Sequence, residues 1–131
     1  VQFLGSVFDD EKFALYARCR AAIFPAEDDF GIAQVEVQAA GRPAIALARG
    51  GALETVIDGV TGLLFPEQTV ESLLAALRRF DHLHFDPVTI RAHAERFRPE
   101  RFRTEFMAFV EAQLAAKGVA RRREEVFAPW N

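Results

Sequence analysis

The sequence holds one cysteine, Cys19, so no disulfide can close within the chain, and a reducing compartment suits it. Cys19 falls in an apolar helical stretch and reads as a small packed hydrophobe, not as a nucleophile. No apolar run approaches the ~20 residues of a membrane span, and no signal-peptide pattern stands at the N-terminus. There is no excess of positive charge. The formal net charge of −3 gives no electrostatic reason to expect nucleic acid or an anionic membrane as partner. The one basic run, Arg121-Arg122-Arg123, is followed at once by Glu124 and Glu125 and reads as a solvated tail. The three histidines, His82, His84 and His93, lack a Cys or His partner at ligand spacing, so no metal site is expected. A Ser-His-Asp arrangement, a Gly-x-x-x-x-Gly-Lys phosphate loop and an early Gly-x-Gly-x-x-Gly are also missing. These absences point to a cytoplasmic protein, with peripheral membrane association of a full-length form left open. The chain opens on Val1-Gln2-Phe3-Leu4 without an initiator Met, which suggests a piece of something longer.

Half of the 131 residues are hydrophobic and 27% are charged, as expected of one globular domain with a core of its own. Short apolar runs alternate with longer amphipathic stretches. Val1 to Val7, Ala21 to Phe24, Pro43 to Leu47 and Gly62 to Phe65 read as four strands. Helices are expected after Asp9-Asp10, with one of these as N-cap, and over Gly31 to Ala40 with Gly41 as its stop. Further helices are expected around Leu73 to Phe80, from Asp86 as cap with Pro87 at the first position, and along Phe102, Phe106, Phe109, Val110 and Leu114. The expected domain covers 1–117, and 118–131 form a tail, pinned by Phe127 and Trp130.

Short, nearly all-apolar strands separated by helices predict an α/β fold with a doubly wound parallel sheet and a helical C-terminal part. In such sheets ligands bind beyond the carboxyl ends of the strands. That rule selects Gly5 to Asp10, Pro25 to Phe30 and Ala48 to Leu53. The second loop carries Glu27, Asp28 and Asp29 ahead of Phe30-Gly31. One acid there is explained by capping, worth ~1 kcal/mol at most. Three in a row repel one another and call for a cation or for hydroxyl donors such as those of a sugar. Gly31 lets a ligand approach free N–H groups at the helix start, a phosphate site. Glu36 lies further along that helix, among Val35, Val37 and Ala39. Spacing leaves two readings of it open, a ligand-facing carboxylate or one on the solvent edge. Gly50 and Gly51 suit close approach of a phosphate or sugar, while Arg49 reads as a surface arginine.

The segment EDDFGIAQVEVQAAGRPAIALARGGALETVIDGVTGLLF closely resembles the donor-binding half of retaining glycosyltransferases of the family-4 type, which have the two-domain GT-B architecture. Those proteins carry a Glu-(seven residues)-Glu motif containing Phe-Gly-(Leu/Ile), then a Gly-x-Pro strand and a Gly-Gly-x-x-Glu loop. With FLGSV, ALYARCRAAIFPAE and FRPERF the likeness runs roughly from Val1 to Ala115. The resemblance implies that Glu36 is the second acid, which grips the ribose hydroxyls of the nucleotide. It places Asp28 at the first acid, which binds the donor sugar, and here the chain departs from the pattern with Asp for Glu. Glu27 is the neighbouring substitute, one residue out of register. Phe30, Gly31 and Ile32 match the segment whose amides meet the sugar and diphosphate, and Gly5 to Val7 matches the loop near the base.

The implied function is transfer of a hexose from a nucleotide-diphosphate sugar, such as GDP-mannose or UDP-glucose, to an acceptor glycan or lipid, with retention of configuration and without an obligatory metal or other cofactor. The acceptor would be held by an N-terminal domain not seen in this sequence, so the chain alone is expected to be inactive. A non-catalytic binding or assembly module that kept the fold is the alternative, and an exposed sheet edge leaves a homodimer open. An unrelated doubly wound fold, such as an epimerase or response-regulator relative, is disfavoured by the missing glycine motif and by the lack of an acidic cluster after the first strand.

Overall fold

The computed structural model describes residues 1–117. The chain divides into two compact units, Val1–Arg96 and Phe97–Asn131. The first unit runs α1 (Asp9–Arg18), β1 (Ala22–Phe24), α2 (Ile32–Ala39), β2 (Ala44–Leu47), α3 (Ala52–Thr55), β3 (Gly62–Phe65), α4 (Val70–Phe80) and α5 (Pro87–Ala94). Its strands form one parallel sheet in the order β1-β2-β3, with Ala22 opposite Ala44 and Ile45 opposite Leu63.

β2 reads Ala-Ile-Ala-Leu, and all four residues are buried. Its alternation sends Ala44 and Ala46 to one face, where Val37, Ala52 and Val56 close over them with Tyr16, Cys19 and Phe24 at the margin. The small alanines let α2 and α3 approach closely. Ile45 and Leu47 point to the other face and meet Leu63, Phe65 and Ala76, with Leu73, Leu77 and Phe80 alongside. Each large side chain removed from water here contributes about 1.5–3 kcal/mol. Both faces are covered, as a parallel sheet requires. Cys19 packs at the margin of the alanine-face cluster, and burial pushes its thiol above the ordinary range.

Local chemistry sets the helix ends. Gly41 takes φ +76°, its N–H donates to the Gln38 carbonyl at 2.8 Å, and Arg42 N–H donates to the Val37 carbonyl at 3.0 Å. This pair of bonds stops α2 at the expected glycine. Asp86 caps α5 by accepting from the amides of Val88 and Thr89 at 3.2 and 3.0 Å, with Pro87 at the first position as expected. These bonds, the Thr89 hydroxyl first, hold its carboxyl below the usual range. α1 differs slightly from expectation: Phe8 is its N-cap, and Asp9 and Asp10 lie inside the first turn.

One expected strand is absent. Val1 to Val7 makes no ladder, and the sheet has three strands among the described residues. Val1, Phe3 and Leu4 are exposed, and Gly5 turns left-handed at φ +65°. A strand needs a paired neighbour and a covered face, and this segment has neither. In the second unit, α6 (Pro99–Ala116) forms over the expected phenylalanine repeat, with Phe102 and Phe106 stacked at 5.5 Å. Phe127 and Trp130 lie outside the described residues, as does the rest of the expected tail. No helix among the described residues is long and apolar enough to cross a membrane.

Gly62 opens β3 directly against β2, and a Cβ there would overlap the Ala44 carbonyl. Gly62→Ala is expected to lower stability by about 1–3 kcal/mol through forced separation of the strands. A urea titration followed by far-ultraviolet circular dichroism checks this, and an unchanged midpoint would contradict the close packing.

Candidate functional site

Two of the selected loops meet. β1 ends at Phe24 and releases the acidic loop, while β2 ends at Leu47 and releases Ala48 to Gly51. Gly51 N–H donates to the Asp28 carbonyl at 2.8 Å, joining the loops through their backbones. A Cβ on Gly51 would overlap the Phe30 backbone, and one on Gly50 would overlap the Asp28 carbonyl and lie 3.3 Å from Glu27 Cγ. Gly50 also takes φ +54°, so conformation as well as space selects glycine there. The third strand end joins too: Gln68 Nε2 donates to the Pro25 carbonyl at 2.9 Å.

Glu27, Asp28 and Asp29 are exposed at this junction. Gly31 follows at φ +80° as the residue preceding α2, and having no side chain it leaves the first amides of the helix without a side-chain cap. Phe30 and Ile32 flank it with exposed side chains, Ile32 at 68%. No three His, Cys, Asp or Glu side chains among the described residues are grouped to hold a metal ion.

Glu36 lies one turn further into α2, and its side chain is only 25% exposed. Lys12 of α1 reaches it, Nζ to Oε1 at 3.1 Å, and also holds Asp9 at 3.1 Å. These two carboxylates, Asp9 first, raise the Lys12 pKa above its ordinary value. Glu36 is therefore neither unpartnered in an apolar face nor out on the solvent edge. Tyr16 stands near it, its hydroxyl pushed up by burial and then by the Glu36 charge. The structure thus brings Glu27, Asp28, Phe30, Gly31, Gly50 and Gly51 to one corner with Glu36 behind it. Gly5 stands clear, with nothing within 4 Å of where its side chain would be, and Val7 is half-buried. Arg49 is exposed.

Behind the corner lies a polar group that the sequence reading did not select. Gln34 and Gln38 of α2, Thr55 of α3 and His93 of α5 are all buried. The Thr55 carbonyl accepts from Gln38 Nε2 at 2.8 Å and faces His93 Nε2 at 3.1 Å. A carbonyl only accepts, so Nε2 is the protonated nitrogen of the ring. The Thr55 hydroxyl lies 2.9 Å from the Gly51 carbonyl and 3.0 Å from Gln34 Oε1, but its one hydrogen serves a single acceptor. A half-turn of the Gln34 amide presents Nε2 to Thr55 Oγ1 and leaves the hydroxyl hydrogen for Gly51. This change also gives a partner to Gln34 Nε2, which otherwise has none. The network fixes α3, and with it Gly51, against α2. Its signal in the sequence is faint: two glutamines four residues apart, at the positions where α2 faces the core.

Burial, the main cause, holds the His93 pKa below 6.5, with Arg96 acting in the same direction and the Thr55 carbonyl opposing. A depressed pKa means that the folded state favours the neutral ring. Its stabilising contribution is full above the unfolded value and is lost as pH falls through the folded one. The urea midpoint is therefore expected to drop between pH 7.5 and 5, and His93→Gln, which keeps a donor but cannot titrate, should flatten that part of the slope. Equal slopes for the two proteins would contradict the neutral assignment.

Known proteins resemble this chain in sequence and fold. The family model described as Glycosyl transferases group 1 aligns with residues 1–80. The alpha-1,3/1,6-mannosyltransferase ALG2 of Dictyostelium discoideum is 43% identical over 65 residues, 49% of this chain and 16% of that protein. A glycogen synthase of Pseudomonas aeruginosa is 34% identical over 87 residues, 65% of this chain and 17% of that protein. The solved sucrose-phosphate synthase from Thermosynechococcus elongatus superposes with a TM-score of 0.60 at 30% identity, covering 88% of this chain and 29% of that one. In each case the chain corresponds to a minor part of the relative's length. The parallel sheet with helices on both faces and the matched family agree: the chain belongs to the group 1 glycosyltransferases, of GT-B architecture.

Proposed function

We propose that this chain forms the donor-nucleotide site of an enzyme that transfers a hexose from a nucleotide-diphosphate sugar to a glycan or lipid acceptor with retention of configuration. The observation that carries the reading is the backbone junction of the acidic and glycine loops beyond the carboxyl ends of β1 and β2, at the start of α2. Amides at a helix start attract a diphosphate, because the dipole and the unpaired N–H groups act together. As the bond to the sugar breaks, negative charge grows on that diphosphate. Fixed amides stabilise it without reorganisation. The exposed carboxylate of Asp28 supplies acceptors for sugar hydroxyls, and Glu36 supplies them for the ribose. Each hydrogen bond between a charged group and a hydroxyl is worth about 1.5–3 kcal/mol.

The relatives' names support the class of reaction: a mannosyltransferase, a glycogen synthase and a sucrose-phosphate synthase all build glycosidic linkages. They differ in product, so membership of the family alone does not set the sugar and the acceptor.

The shortened acid is the sharpest test. In the full-length protein, Asp28→Ala is expected to lower sugar transfer about tenfold to a hundredfold, roughly the loss of one such bond. Asp28→Glu should raise transfer, by about three- to tenfold, by extending the carboxylate toward the sugar. Initial rates with UDP-glucose and GDP-mannose measure both. Full activity in Asp28→Ala would rule out this carboxylate as a sugar ligand.

A further inference from the structure

Among the described residues, Lys12 is the one basic side chain that the structure joins to a site carboxylate, and neither the motif nor the spacing of the acids pointed to it. Its ion pair with Glu36 differs from the others described in the first unit. Lys12 and Glu36 side chains are 28% and 25% exposed, whereas Arg20–Asp81 stands at 79% and 61% and Arg79–Asp58 at 49% and 40%. The pair also spans two helices, joining α1 to α2 across 24 positions of sequence. Lys12 is held in turn: Asp9 takes a second N–H at 3.1 Å, and the ammonium lies 4.7 Å from the centroid of the Phe13 ring. Phe13 packs edge-on against Tyr16, the residue whose hydroxyl feels the Glu36 charge. An ammonium on a four-carbon stem is ordinarily mobile. Here three contacts from two helices fix it against one oxygen of Glu36.

A carboxylate has two oxygens, and each accepts hydrogen bonds over a broad range of directions. A lone Glu36 would be free to turn about its last bond. With Oε1 tied to Lys12, the plane of the carboxylate is set and the position of Oε2 follows. We propose that Lys12 is a positioning residue for nucleotide recognition, holding the Glu36 carboxylate oriented so that its second oxygen accepts a ribose hydroxyl. This rests on the reading of Glu36 as the ribose ligand. The consequence concerns discrimination more than overall affinity: a ligand without ribose hydroxyls does not use the oriented oxygen and gains nothing from Lys12.

The experiment compares affinities of the full-length protein for UDP, GDP or ADP, whichever binds, and for its 2′,3′-dideoxy form, by calorimetry. Wild type is expected to prefer the ribonucleotide, and Glu36→Gln to lose most of that preference. Lys12→Met and Lys12→Gln should each reduce the preference about tenfold, as expected for one weakened charged hydrogen bond. Lys12→Arg should retain most of it. The thermal midpoint, measured alongside, separates loss of fold from loss of orientation. If both neutral variants keep the wild-type ratio while Glu36→Gln loses it, or weaken both ligands equally, Lys12 only fastens α1 to α2 and the proposal fails with the ribose reading intact. If Glu36→Gln itself keeps the ratio, the ribose reading fails and the positioning role falls with it.

Discussion

β2 is covered on both faces and paired on both edges, and this total enclosure of four residues is the constraint on which the rest of the first unit depends. A strand so placed has no polar side chain to offer, because each would need a partner in the core. Its alternating alanines and large aliphatics assign each covering helix its distance. Ala44 and Ala46 admit α2 and α3 close to the sheet, and Ile45 and Leu47 meet the leucines of α4 at a greater depth of side chain. The chemistry is thereby forced to the strand ends. Where β1 and β2 stop, acidic and glycine residues gather in Glu27, Asp28, Asp29, Gly50 and Gly51.

The corner itself is built from backbone. Gly50 and Gly51 allow one loop to lie directly on the other, and the amide of Gly51 ties them together. Backbone contact leaves the side chains of Glu27, Asp28 and Asp29 turned outward for use. The buried polar group behind supports this from below. Thr55 ties the glycine loop to α2 through Gln34 and Gln38, and His93 adds α5. Buried polar atoms are costly unless bonded, and once bonded they fix geometry in a way apolar packing alone does not. The donor site proposed for this corner would benefit from such rigidity.

Much of this was legible in the chain. Apolar runs bounded by Gly and Pro marked β1, β2 and β3, since a parallel strand buried on both faces leaves little else for a sequence to be. Gly41, Asp86 and Pro87 announced helix ends because capping depends on a few adjacent residues. The loops at the strand ends, and the meeting place of Asp28, Gly31, Gly50 and Gly51, followed from topology once the strands were known. Val1 to Val7 misled: its composition suits a strand, but strand formation needs a neighbour and cover, which composition does not record.

By itself, then, the sequence determined the fold class and the family and picked out the two loops that meet at the strand ends, because these follow from local periodicity, caps and a dense motif. The tertiary structure decided what touches Glu36 and what lies beneath the glycine loop. Lys12 and Glu36 are separated by a helix end, a strand and a loop, and Thr55 and His93 by another strand and helix. No spacing rule reaches across such distances, since which side chains meet depends on how helices seat on a sheet. Side-chain volume on β2 sets that seating.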